Sequence, residues 1–321
     1  MKVFVTRRIP ESGLEPLRTE HKIEVNLHER VLTKEEIIEG VKGKDGLLCL
    51  LTDPIDRDVI FSEPKLKMIA SYAVGYDNID VKAATERNIP VSNTPGVLTD
   101  TTAEMAWALL FSVARRTVEG DKFTKAGKFT GWDPMLMLGQ DVSYKTLGII
   151  GAGRIGTAVA LKSKGFNMKI LYVSGHTNKV LDEELNAKKV DLEEVLKESD
   201  FISLHVPLTE KTYHLIGEKE LKLMKSTAIL INTSRGPVVD EKALLKALKE
   251  KWIFGAGLDV YEHEPEITGE LKKLDNALLQ PHSASATFES RTKMAIMAAE
   301  NMMAGLKGEI PPNCVNPEVF E

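Results

Sequence analysis

Leu147-Gly148-Ile149-Ile150-Gly151-Ala152-Gly153-Arg154-Ile155-Gly156 is the stretch from which the rest of the chain is read. An apolar run ends at Gly151, and Ile155, Ala158, Val159 and Leu161 follow at once with helical spacing. In that order each glycine has a physical role. Gly151 permits a tight turn, Gly153 lets backbone approach a pyrophosphate, and Gly156 allows close helix–strand packing. The N–H groups and positive dipole end of the helix then favour phosphate. A tight turn alone could use such glycines. The strand–loop–helix context points instead to a dinucleotide site.

Outward from this loop, β-rich runs alternate with helical patterns. Runs at 2–6, 22–27, 46–51, 67–72 and 91–94 precede it, and runs at 146–150, 169–173, 201–206, 228–232, 257–260 and 277–280 contain or follow it. Thr33-Lys34-Glu35-Glu36 forms a capping box, and Asp80, Asp191 and Asp240 stand as acidic N-caps. Long helical patterns cover 101–117 and 287–306. The alternation predicts an α/β protein of two doubly wound, Rossmann-like or flavodoxin-like domains with mostly parallel sheets. The length, 321 residues, agrees at roughly 150 per domain. Segment 127–140 lacks periodicity, yet Trp132, Met135, Leu136, Met137 and Leu138 make it too apolar for a free linker. No strand follows the last helical pattern. It can close the second domain or return to the first, and the pattern allows both.

Composition excludes several classes. Hydrophobic residues are 43% and charged residues 28%, with a net charge of −5 and no basic block, which disfavours nucleic acid as a partner. Cys49 and Cys314 are too few for a disulfide scaffold, and no metal-ligand spacing exists, so no metal is expected. The apolar run in residues 1–8 is too short for a signal-peptide core, and no apolar stretch is long enough to span a membrane. A cytoplasmic location is the expectation.

Further candidates lie at the ends of expected strands, where open α/β sheets bind ligands. The strand 169–173 is followed by Ser174-Gly175-His176-Thr177-Asn178-Lys179, with no carboxylate to bind an adenosine ribose diol. Ser174, His176 and Thr177 can donate to a 2′-phosphate instead, which points to NADP with NAD as a possibility. Arg235, Glu264 and His282 end the next strands. Singly, each has an ordinary surface or packing explanation. Together they fit one chemistry: a guanidinium holds a carboxylate bidentately, and a histidine oriented by a carboxylate donates a proton. With a nicotinamide beside them, these groups would reduce a 2-oxo acid.

Read together, these residues and Ala73-Val74-Gly75-Tyr76-Asp77-Asn78-Ile79-Asp80, Asn232–Pro237, Gly257–Pro265 and Pro281–Ser285 resemble the D-isomer-specific 2-hydroxyacid dehydrogenases, in their glyoxylate/hydroxypyruvate reductase branch. The resemblance covers essentially the whole chain. It implies a discontinuous substrate-binding domain (1–98 with 287–321) and a dinucleotide-binding Rossmann domain (99–286). It implies that Arg235 holds the carboxylate and carbonyl of a small 2-oxo acid, that His282 is the acid/base, and that Glu264 pairs with His282. Val74 and Gly75 would meet the carboxylate through backbone N–H groups, with Leu51 and Trp132 bounding the pocket. Gly151, Ala152, Gly153, Arg154, Ile155 and Gly156, with Ser174, Gly175, His176 and Thr177, would line the coenzyme. So would Val206, Pro207, Thr233, Ser234, Arg235, Asp259, His282, Ser283 and Ala284. It also implies a homodimer, with Trp132 reaching toward the partner. NADP-using relatives often carry a basic residue where this chain has Gly175. The alternatives are another D-2-hydroxyacid dehydrogenase, such as a phosphoglycerate dehydrogenase without an extra C-terminal domain, or a dinucleotide-sensing corepressor-like protein. The latter would tolerate loss of Arg235, Glu264 and His282, all of which are present.

Overall fold

Five parallel strands order the first sheet: β1 (Lys2–Val5), β2 (Lys22–Val25), β3 (Gly46–Cys49), β4 (Met68–Ser71) and β5 (Val91–Ser92), in the sequence β2-β1-β3-β4-β5. β3 and β4 are buried throughout, which is why they read as continuous apolar runs rather than alternating ones. This is the flavodoxin-like order, with its switch point between β1 and β3. The computed structural model describes residues 1–321 as two units, Met1–Leu98 with Ala286–Glu321 and Thr99–Ser285. The final helix, Phe288–Lys307, therefore belongs to the first sheet's unit. The Tyr72 hydroxyl donates to the Arg291 carbonyl (2.8 Å), tying the end of β4 to that helix.

The second unit holds seven parallel strands: β6 (Thr146–Ile150), β7 (Lys169–Val173), β8 (Lys188–Lys189), β9 (Phe201–Leu204), β10 (Ile229–Asn232), β11 (Gly255–Leu258) and β12 (Ala277–Leu279). Their order is β12-β11-β10-β9-β6-β7-β8. The order turns back between β6 and β9, so the glycine loop after β6 stands at a switch point. Leu147 and Ile149 pack with Trp107, Leu109 and Leu110 of the helix Thr99–Ala114. Ile150, Leu204 and Leu230 share a second core with Leu244 and Leu248. Helices thus cover both faces of the sheet.

Three features depart from the sequence reading. The helix expected over 101–117 stops at Ala114, whose carbonyl accepts from the Gln140 N–H (2.7 Å). Arg116 is left-handed (φ 51°), and a separate helix, Thr117–Lys125, begins. A contact from far along the chain ends the helix, and local spacing could not foretell it. The edge strand β8 is two exposed lysines, with no apolar signal to read. β11 begins two residues before the expected 257, because Gly255 and Ala256 are buried without being conspicuously apolar. No helix is long and apolar enough to cross a membrane.

Candidate active site

The glycine loop makes a cleft at the end of β6. Gly151 has φ +99°, and a Cβ there would fall 2.6 Å from the His205 carbonyl carbon and 2.8 Å from the Val206 nitrogen. A Cβ on Gly156 would fall 2.1 Å from the Gly151 carbonyl oxygen. Only glycine fits either position. A Cβ on Gly153 would meet nothing within 4 Å, so here the backbone lies open to an approaching group. Gly153 is the N-cap of the helix Arg154–Leu161 and supplies no side-chain cap, which leaves first-turn N–H groups for an anion.

A cavity of ≈ 410 Å³ lies against this loop. Gly151, Ala152 and Gly153 line one side, Ser174 and Gly175 another, and Val206 and Pro207 a third. Leu192, Thr212 and Leu215, which sequence reading passed over, complete an apolar wall suited to a flat base. His205 also lines the cavity, with its Nε2 2.8 Å from the Ser203 hydroxyl. Burial pushes its pKa down to about 3, so it brings no cation to the glycine loop. The turn after β7 is braced by Asn178, which donates to the Ala152 carbonyl (3.0 Å) and the Thr157 hydroxyl (2.7 Å). His176 and Thr177 are exposed on that turn and do not line the cavity.

The remaining candidates gather at the ends of β10, β11 and β12. Asn232 is buried, and its Oδ1 accepts from the backbone N–H (3.0 Å) and hydroxyl (2.8 Å) of Ser234. Its Nδ2 donates to the Arg235 carbonyl (2.9 Å), so one side chain shapes the turn that carries Arg235. A Cβ on Gly236 would fall 1.8 Å from the Tyr261 carbonyl oxygen, so this turn lies directly on the segment leading to Glu264. The Thr233 hydroxyl is buried with no partner in the chain. Such an orphan, together with the open Gly153 backbone, fits a nicotinamide dinucleotide held along this edge.

His282 follows β12 in a left-handed conformation (φ 52°), its N–H bonded to the Asp259 carbonyl (2.9 Å). Its Nδ1 lies 2.8 Å from Glu264 Oε2. Burial raises the Glu264 pKa, but the hydrogen bond and charge of His282, the Tyr261 N–H and the Arg235 charge outweigh it and hold the carboxyl below its usual range. Asp259 is fully buried and accepts from the N–H groups of Ser283 (2.7 Å) and Ala284 (2.8 Å). Burial pushes its pKa up, although those two N–H groups and the His282 charge work against it. Asp259 thus fixes the turn after His282, while Glu264 fixes the ring. With Nδ1 engaged, Nε2 is the atom left to pass a proton.

In the first unit, Leu51 follows β3, and Val74 and Gly75 follow β4; all three are half-buried. The N–H groups of Val74 and Gly75 donate to no acceptor in the chain. Trp132 is 85% exposed in the segment 127–140, too open to belong to this chain's own core.

A parallel sheet with an open glycine loop before a helix at its switch point, and a carboxylate-oriented histidine at the ends of neighbouring strands, fits a dinucleotide-dependent oxidoreductase. Residues 107–284 match the family described as D-isomer specific 2-hydroxyacid dehydrogenase, NAD binding domain. A glyoxylate reductase of Korarchaeum cryptofilum is 57% identical over 100% of this chain and 97% of that one. A solved structure from Thermus thermophilus superposes with TM-score 0.93 at 44% identity, covering 98% of this chain and 100% of that one. An NADPH-dependent glyoxylate/hydroxypyruvate reductase of Sinorhizobium meliloti, solved with NADP and malonate, gives TM-score 0.87 at 28% identity over 100% and 98% of the two chains. The chain belongs to the D-isomer specific 2-hydroxyacid dehydrogenase family. It is an oxidoreductase of the CH–OH group with an NAD-binding domain.

Proposed function

We propose that this protein reduces glyoxylate, and hydroxypyruvate as its close analogue, to the 2-hydroxy acid. The observation that carries the reading is the 2.8 Å contact between His282 Nδ1 and Glu264, which leaves Nε2 to give its proton to the carbonyl oxygen. The bound coenzyme supplies the hydride. Arg235 holds the substrate carboxylate and polarises the carbonyl. From the first unit we assign the N–H groups of Val74 and Gly75 to carboxylate binding and Leu51 to the apolar wall. The first unit is on this reading the substrate-binding domain.

For the coenzyme, the loop Gly151–Gly156, the turn Ser174–Thr177, Val206 and Pro207, and Thr233 and Ser234 are the residues we assign, with Asp259, Ser283 and Ala284 shaping the nicotinamide end. The absence of a carboxylate after Val173 favours NADPH over NADH, and Lys179, the first residue of the helix Lys179–Leu185 that follows the turn, adds a positive charge close by in the chain. We also assign the exposed apolar segment 127–140 to a homodimer interface, with Trp132 contributing to the partner's substrate pocket. Sedimentation of the wild type and Trp132→Ala tests that assignment: a monomeric wild type contradicts it.

Coenzyme oxidation measured across a panel of 2-oxo acids tests the substrate. The highest kcat/KM is expected for glyoxylate or hydroxypyruvate. Negligible turnover of both beside rapid turnover of a bulky or phosphorylated 2-oxo acid would overturn the assignment.

A further inference from the structure

Two consecutive peptide groups after β4 are held by the two residues that follow β5. The Thr94 N–H donates to the Ala73 carbonyl (2.8 Å), and the Asn93 side-chain amide donates from Nδ2 to the Val74 carbonyl (2.8 Å). The one cis peptide bond in the chain is Glu264–Pro265, so both of these peptides are trans and planar. In a trans peptide the N–H points opposite to the C=O. Holding the Ala73 carbonyl therefore aims the Val74 N–H away from Thr94, and holding the Val74 carbonyl aims the Gly75 N–H away from Asn93. These are the two donors that find no acceptor within the chain.

Asn93 is itself fixed. Its N–H donates to the Asn313 carbonyl (3.2 Å), and its carbonyl accepts from Nδ2 of Asn301 (3.1 Å). Asn301, fully buried on the helix Phe288–Lys307, also accepts the Asn313 N–H (3.0 Å). A backbone carbonyl can only accept, so the Asn93 atom facing Val74 must be the NH₂ group. No apolar or purely accepting side chain could take that place.

We propose that Asn93 is a positioning residue for substrate binding: its side-chain amide fixes the Val74–Gly75 peptide so that the Gly75 N–H is presented to the 2-oxo acid carboxylate. The proposal rests on the assignment of Val74 and Gly75 to that carboxylate. Two freely rotating peptides would waste part of their binding energy on ordering, whereas a pre-aimed pair binds the anion at once.

The test measures KM for glyoxylate, Ki for oxalate as a competing carboxylate, and coenzyme Kd, in the wild type, Asn93→Ala and Asn93→Leu. Asn93→Leu keeps the shape and loses the donor without adding a charge, so it serves if Asn93→Ala folds poorly by thermal melting. Both variants should raise KM and Ki together by about 5- to 10-fold, the worth of one oriented hydrogen bond, with coenzyme Kd unchanged. Oxalate competing equally well in wild type and both folded variants would overturn the role of Asn93 and leave the carboxylate assignment standing. If oxalate does not compete with glyoxylate even in the wild type, the carboxylate assignment itself fails. A variant with lower Tm but unchanged KM and Ki would reduce Asn93 to a structural residue and overturn the proposal.

Discussion

Glu264 shows how three neighbours act on one carboxylate. Its pKa is held below the ordinary range although burial alone raises it. A carboxyl with a depressed folded pKa contributes stability that is present above its unfolded pKa and lost as pH falls through the folded one. Stability should therefore decline below the usual glutamate range of about 4.3, and Glu264→Gln should lose less over the same acid interval. Thermal melts of both proteins from neutral pH to about pH 3 measure the difference, and parallel curves would contradict it. Arg235→Lys keeps the charge but loses the two-pronged geometry, so KM for the oxo acid should rise and kcat fall, by about 10-fold or more each. Unchanged steady-state kinetics would place the carboxylate elsewhere. Arg235, Glu264 and His282 were legible as residue types at strand ends. Asn232 and Asn93 were not, because a hydrogen bond from an asparagine to a backbone carbonyl leaves no spacing in the sequence.

The turn Asn232–Gly236 depends on close backbone approach. Gly236→Ala would put a Cβ 1.8 Å from the Tyr261 carbonyl oxygen, which no rotamer relieves. Forced backbone shifts cost typically about 1–3 kcal/mol, and this one should also displace Arg235 from Glu264. A lowered Tm together with lost activity is expected, and a variant of wild-type Tm would show that the turn yields freely. The turn after β7 carries the coenzyme preference. Ser174→Asp places a carboxylate beside the cavity, which should repel a 2′-phosphate and favour a ribose diol. The ratio of kcat/KM for NADPH to that for NADH should fall by about 10-fold or more, as loss of a charge-assisted bond implies. An unaltered ratio would remove this turn from the adenosine ribose. The glycine loop was readable because its constraints are local: turn, helix start and packing glycine are near neighbours in the chain. The end of the helix at Ala114 was not, since Gln140 supplies the capping N–H from outside the window.

At the scale of the whole chain, both units are parallel sheets, and the strand–helix alternation already announced them. The alternation could not say where the last helix goes, because no strand follows to fix it. Polar contacts place it: Tyr72 bonds the Arg291 carbonyl, and Asn301 bonds Asn93. The tail adds Asn316, fully buried, whose Oδ1 accepts the Val91 N–H (2.7 Å) and whose Nδ2 donates to the Ile89 carbonyl (3.0 Å). Asn316→Ala would strand both groups, at about 1–3 kcal/mol each. Chemical denaturation should show that loss, and an unchanged midpoint would contradict the bracing role. Glyoxylate turnover and coenzyme Kd in the wild type and His282→Ala decide whether His282 donates the proton in an oxo-acid reductase. With His282 as the donor, the variant should keep its coenzyme binding and lose kcat by about 10²–10⁴-fold. A His282→Ala protein turning over glyoxylate at the wild-type kcat would contradict it.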